Sequence, residues 1–317
     1  MALATMVARQ HRTRAVARYA GIVLGLFILV VLWGAVVRAT GSGGGCGPNW
    51  PLCNGYVNPL HHARLATVIE FIHRSTSGIV TVLLAALAVW TFLATSKGHR
   101  ARRAVLWSVF FLVTEALLGA ALVLRHWVEN NVSTGRTIAQ SIHFTNTMLL
   151  MGAIAVTAWF LRDEENDLPQ AVVLPVVAWT AVISTIAVGA TGSLAALADT
   201  LFPSPTWRAG MAQDFAVNAP VLIRMRWLHP AAAILGLLCV IWMLRRQPRW
   251  DAVSKAVVGL LGLQFILGPL NVLLLAPTWL QVLHLLGADL YWIALVVLAA
   301  RIVWAENRGD SLATRYA

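Results

Sequence analysis

From Ala256 to Ala288 the chain contains no Asp, Glu, Lys or Arg. A helix of about 20 apolar residues crosses the hydrocarbon core of a bilayer. This run is therefore too long for one crossing and too apolar for a water-exposed helix. Ala276-Pro277-Thr278 divides it, because proline removes a backbone donor and restricts the residue before it. The same gaps between charges place spans near 17–38, 66–94, 104–124, 138–161, 171–194, 227–244, 256–275 and 280–300. The stretch between Arg18 and Arg38 is longer than the apolar region of a signal peptide and is kept as a helix. Only 12% of the 317 residues are charged, where a soluble domain carries about a quarter. The expected fold class is all-α integral membrane, with eight transmembrane helices.

The net charge of +11 does not point to nucleic acid, because the basic residues gather at the ends of apolar spans. With an even number of spans both termini share one side. Sixteen of the 24 Lys and Arg fall on that side, and this bias predicts cytoplasmic termini in a multi-pass protein of the plasma (inner) membrane.

The second half repeats the first. Arg38-Ala-Thr-Gly-Ser42 is echoed by Gly189-Ala-Thr-Gly-Ser193, expected to end the fifth span. Glu115 with Leu118-Gly119 is echoed by Gln264 with Leu267-Gly268. Similar offsets in matching order indicate duplication of a four-helix unit. Four helices separate equivalents, so two tandem pseudo-symmetric four-helix bundles are related by an axis along the membrane normal. The divisions read as 1–16, a flexible cytoplasmic basic tail; 17–161, the first half; 162–170, a cytoplasmic linker; 171–304, the second half; and 305–317, a cytoplasmic tail.

Four of the nine histidines, His73, His143, His229 and His284, are expected in the first turns of the second, fourth, sixth and eighth spans, at one depth near the outer surface. His11, His61, His62, His99 and His126 fall in tails, loops or helix ends. A lone histidine in a membrane helix is more often a packing residue, but four at repeated places suggest pairs, His73 with His143 and His229 with His284. Two imidazoles on facing helices can hold a haem iron. Zinc is disfavoured, because no third ligand lies close to either pair in sequence. Arg38, Arg74, Arg136, Arg224 and Arg226 stand where guanidinium groups could meet haem propionates, with interfacial anchoring an equal alternative.

Glu70 precedes His73 by three, so the two share a helix face, whereas Arg226 holds that place before His229. An acid beside one site only suggests that this site does chemistry. Cys46-Gly-Pro-Asn-Trp-Pro-Leu-Cys53 lies in an outer loop, where oxidising conditions favour a disulfide; so short a ring adds little chain-entropy stabilisation, leaving a structural, redox or site-shaping role open. Cys239 reads as an inert packing residue. Glu115 and Asp289 lie inside spans, each either a proton relay or a neutral hydrogen-bonded group.

Arg38-Ala-Thr-Gly-Ser42, the Cys46–Cys53 loop, Glu70-Phe-Ile-His73-Arg74 and the histidines heading later spans together resemble the haem A synthase family over all eight helices. The Glu-x-x-His-Arg element is the most specific part. The resemblance implies oxidation of the C8 methyl of haem O to a formyl group, giving haem A for terminal oxidases, by successive hydroxylations and loss of water. It implies His73 and His143 as axial ligands of the substrate haem, His229 and His284 as those of a permanent haem b, and Glu70 in the chemistry. Implied partners are haem O, dioxygen, an unidentified electron donor, haem O synthase and membrane lipid, without nucleic acid. A di-haem b-type cytochrome taking electrons from quinol is the competing class; it leaves Glu70 unexplained unless that carboxylate accepts a quinol proton.

Overall fold

A computed structural model describes the backbone of residues 2–59, 63–162, 175–246 and 250–313, and the side chains of 11–59, 63–162, 175–246 and 250–304. The helices are α1 (Ala2–Ala39), α2 (Leu65–Ala94), α3 (Arg100–Leu124), α4 (Thr134–Leu161), α5 (Pro175–Leu201), α6 (Trp207–Asp214), α7 (Val221–Arg224), α8 (Leu228–Arg245), α9 (Ala252–Leu273) and α10 (Thr278–Ala313). Eight membrane-length segments result, with α7 leading through a short 3₁₀ turn into α8 as the sixth. The protein is an all-α integral membrane protein.

Local chemistry sets the boundaries. Ser133 accepts a hydrogen bond from Arg136 N–H at 3.3 Å to cap α4, and Asp251 accepts one from Ser254 N–H at 2.8 Å to cap α9, satisfying amides that a helix start leaves without partners. His99 does the same for α3 through Ala101 N–H. The break before Pro277 puts Leu275 and Ala276 at φ 60° and 50°, and α10 begins at Thr278.

Two expectations change. The basic segment 1–16 is helical from Ala2 and continuous with the first span, because nothing between Ala2 and Arg18 interrupts a helix. The repeated Ala-Thr-Gly-Ser does not end both helices. In the first half α1 stops at Ala39 and Gly41 turns left-handed at φ 64°; in the second, α5 runs on to Leu201. The residues that follow decide this. Gly43-Gly44-Gly45 favours a turn, whereas Leu194-Ala-Ala-Leu-Ala198 are strong helix formers. Of the linker 162–170, only Arg162 is described, as the cap residue after α4. The tail 305–317 is described through Ala313 as a continuation of α10; its last four residues, like His61 and His62, lie outside the described residues.

The helices pack as hairpins, α1 with α2, α3 with α4, α5 with α8 and α9 with α10. The first four close into a ring through α2–α3 and α1–α4, and α5 meets α10 in the second set. The halves meet through α1 and α4 against α5 and α10, so the α4–α5 contact is mirrored by α10–α1, as a two-fold relation would give. Leu84, Leu87, Leu150, Met151, Ile154 and Leu295 are fully buried, while Ile22, Leu29 and Leu93 face outward. Lipid tails are as apolar as Leu, so packing and internal hydrogen bonds hold such helices together. Tyr19 Oη donates to Leu83 O at 3.1 Å, and Trp292 Nε1 donates to Met148 O at 2.7 Å across the halves.

Candidate functional site

Each of the four spanning histidines lies against a glycine of the preceding long helix. A Cβ placed on Gly34 of α1 would stand 3.0 Å from His73 Cε1, and one on Gly192 of α5 would stand 2.9 Å from His229 Cε1. The corresponding separations are 3.9 Å for Gly119 and His143 and 3.7 Å for Gly268 and His284. The missing side chain leaves room for a ring between two helix backbones. The histidines lie deeper than first turns. His73 and His143 sit about two turns inside α2 and α4, because those helices start at Leu65 and Thr134. His229 opens α8, but α7 adds turns ahead of it from Val221.

In the second half the rings of His229 and His284 have centres 6.4 Å apart and planes crossing at 84°. His229 Nδ1 lies 3.1 Å from Val188 O. The side-chain amide of Gln264 lies 3.1 Å from His284 Nδ1 and, with its oxygen on the other side, accepts from Ala288 N–H at 3.1 Å. Val188 O can only accept, so His229 Nδ1 carries the proton and Nε2 is the nitrogen left to face a ligand; at His284 the Gln264 amide meets Nδ1 and sets the direction of the ring.

In the first half His73 and His143 occupy the equivalent places, against Gly34 and Gly119. Here the partner of His143 is a carboxylate: Glu115 Oε2 stands 3.4 Å from its Nδ1. Asn146 Nδ2 donates to the same carboxylate at 2.7 Å, and Thr147 Oγ1 donates to its other oxygen. Thr114 Oγ1 in turn holds Asn146 Oδ1 at 2.7 Å. Neither His73 Nδ1 nor His143 Nδ1 makes a hydrogen bond among the described residues; Glu115 faces His143 at an ion-pair distance.

Glu70 is 3% exposed and belongs to a clamp around the cysteine loop. Cys46 and Cys53 are joined as a disulfide. Glu70 Oε2 accepts from Cys46 N–H at 2.7 Å, and Oε1 accepts from Arg74 Nη2 at 2.5 Å and Nε at 3.1 Å. Arg74 Nη1 donates into the same loop, to Asn49 O at 2.6 Å and Leu52 O at 2.9 Å. Gly45 lies so close to the first turn of α2 that a Cβ there would stand 2.4 Å from Ala66 C.

The other arginines separate by environment. Arg38 reaches across to the second half, donating through Nη1 to Ala196 O and Thr200 Oγ1, each at 2.6 Å, and through Nη2 to Gln281 Oε1 at 2.7 Å. Arg224, at the end of α7, donates to Ala219 O and Val217 O in the loop before that helix. Arg136 is buried and donates to Glu129 O and Asn131 O. Arg226 lies between Asp199 at 3.4 Å and Asp214 at 3.5 Å, yet its buried Nε and Nη2 make no hydrogen bond among the described residues. Asp289 is buried, with Oδ2 unpartnered among the described residues, and Cys239 is a free, half-buried thiol.

Sequence reasoning missed Asn146 and Thr147, three and four residues after His143 and so on its helical face. It also missed Gly34, and Asp199 and Asp214 beside Arg226. For Gln264 the signal was present in its matched spacing to Leu267-Gly268. Among the described residues no group of three or more His, Cys, Asp or Glu gathers to hold a metal ion. The nitrogen donors come instead as two spanning histidines in each half, a donor set that would suit a haem better than a structural metal ion.

Comparison with known proteins follows the same lines. The family profile COX15-CtaA, described as cytochrome oxidase assembly protein, matches residues 17–296. A Thermus thermophilus protein named protoheme IX farnesyltransferase is 38% identical over 298 residues, covering 91% of this chain and 49% of the relative. The chain thus spans about half the length of that curated relative. A Bacillus licheniformis heme A synthase is 45% identical over 139 residues, 44% of this chain and 43% of the relative. A Listeria monocytogenes serovar 1/2a heme A synthase is 28% identical over 256 residues, 77% of this chain and 81% of the relative.

Proposed function

The chain belongs to the COX15-CtaA family, and from that premise we propose that it makes haem A by oxidising the C8 methyl of haem O to a formyl group. One observation carries the reading: each half holds two spanning histidines set against glycines, and only the first half sets carboxylates near its own, buried Glu70 at the cysteine loop and half-buried Glu115 behind His143.

The residues suit haem. A metal–imidazole bond is about 2 Å, so two rings on opposite sides of one iron have centres roughly 6 Å apart, and those of His229 and His284 are 6.4 Å apart. In this reading His73 and His143 hold substrate haem O, and His229 and His284 hold haem b. When bound, haem b supplies a one-electron couple. Val188 O and the Gln264 amide fix the rotation of its two imidazoles. Arg226, with Asp199 and Asp214 beside its Nη1 and Nε, keeps its buried Nη2 for a propionate, whereas Arg74 and Arg224 spend theirs on loop carbonyls. Glu70, held by Cys46 N–H and Arg74, accepts a proton or balances positive charge developing at the substrate. Its burial lets a single charge act strongly there.

Dioxygen and an electron donor complete the reaction. The Thermus relatives bear the name of an enzyme that farnesylates protohaem, a reaction of the class that supplies a farnesylated substrate for this one. The cysteine loop is placed outside the plasma membrane and both termini in the cytoplasm, as the basic residues favour.

The test is extraction of haems from purified protein made with a haem O source, with identification by mass spectrometry. Haem B together with haem O or haem A is expected. Two haem B per chain and nothing else, with haem O supplied, would favour an electron-transfer cytochrome. His229→Ala is expected to lose haem B preferentially; loss of the substrate haem alone would reverse the two sites.

A further inference from the structure

The halves place different chemistry behind equivalent histidines. Behind His143 stands Glu115, pinned by Asn146 and Thr147 with its Oε2 3.4 Å from Nδ1. Behind His284 stands Gln264, its amide 3.1 Å from Nδ1. Both partners sit on the helix before the histidine, with the same spacing to the glycine that receives the ring, Gly119 in one half and Gly268 in the other. The geometry is repeated and the charge is not.

A carboxylate behind a ligating imidazole fixes its orientation and raises its basicity. A neutral amide fixes the orientation with much less effect on donor strength. A more basic imidazole favours ferric over ferrous iron and so lowers the reduction potential. We propose that Glu115 is a positioning residue that makes His143 the stronger donor, so that the first-half haem has the lower potential of the two. This rests on the haem reading above. It gives the duplicated bundle a physical difference between its two equivalent sites: the second-half haem is the easier of the two to reduce.

The network around Glu115 supports this more than simple packing does. Asn146 and Thr147 donate to both carboxylate oxygens, and Thr114 orients Asn146. These bonds keep the carboxylate aimed at His143 within a membrane span, where an unneeded ionisable group is costly.

The experiment is a redox titration of the purified, haem-loaded full chain, followed by visible absorption, for wild type, Glu115→Gln and Gln264→Glu. Glu115→Gln should raise the potential of one haem and leave the other in place. A tenfold loss of ferric over ferrous affinity, the lower end of the effect of such partners, is about 59 mV for a one-electron couple. Gln264→Glu should lower the potential of the other haem. Unmoved potentials at wild-type haem content, or equal shifts of both haems, overturn the assignment of Glu115. If Glu115→Gln loses its haem, Gln264→Glu decides: no fall in the second potential overturns the proposal. Wild-type protein that binds no haem overturns the haem reading itself, and this proposal with it.

Discussion

The backbone N–H of Cys46 donates to Glu70 Oε2 at 2.7 Å, so the disulfide ring and the buried carboxylate are fixed to one another. Arg74 completes the connection, with Glu70 on one side and two carbonyls of the ring on the other. The acid expected to do chemistry and the cysteine loop are one structural unit. A change in the loop therefore reaches the acid without any movement of α2.

That unit separates charge from architecture. Glu70→Gln keeps an oxygen for Cys46 N–H but loses the negative charge. It is expected to retain both haems and the disulfide while haem A formation falls by about 10²-fold or more, the usual loss on removing a general acid or base. Wild-type haem A yield from Glu70→Gln would leave the carboxylate only its clamping role. The double variant Cys46→Ser, Cys53→Ser should retain haem and lose part of the yield.

The glycines beside the histidines predict a graded series. Gly192→Ala and Gly34→Ala would bring a methyl to 2.9 and 3.0 Å of an imidazole carbon, whereas Gly119→Ala and Gly268→Ala would make ordinary contacts at 3.9 and 3.7 Å. The first two should displace His229 and His73 and lower haem occupancy at one site each. The second two, and Gly259→Ala in open space, should bind haem as wild type does. Pyridine haemochrome content of the five variants measures this, and equal loss from all five would refute it.

Arg38 ties the halves together. Arg38→Ala removes three hydrogen bonds to α5 and α10, and bonds made by a charged donor contribute about 1.5–3 kcal/mol each, less than additively. A loss of roughly 2–4 kcal/mol is expected, read as a lower unfolding temperature in detergent. Unchanged stability with loss of haem would instead give Arg38 to a propionate.

Asp251 makes a smaller, pH-dependent contribution at the other end of the bundle. Burial pushes its carboxyl upward, but the Ser254 backbone and side chain, Arg301 and the Val253 N–H outweigh that and hold it below its usual value. Its stabilisation is therefore present above the unfolded carboxyl pKa of about 4 and lost as pH falls through the lower folded value. The group is partly exposed, so the contribution is under about 1 kcal/mol. Asp251→Asn should unfold at a slightly lower temperature than wild type near pH 6, and the gap should narrow as the pH falls below about 4.

The helical elements and their repeat were legible in the residue order alone. Spans free of charge, Pro277, and His, Gly and Glu or Gln at matched spacings are properties of neighbouring residues, and a bilayer accepts few alternatives to helices. The same spacing put Glu70 on the face of His73. What those groups touch came from the packing of distant segments. Glu70 meets Cys46 because the loop folds back on α2, Arg38 bonds residues more than 150 positions away, and Glu115 reaches His143 from a neighbouring helix. The two Ala-Thr-Gly-Ser copies diverge because their neighbours differ, in three glycines or a helix-forming run. Helical periodicity specifies the direction of a side chain; its partner is specified by which helix packs there.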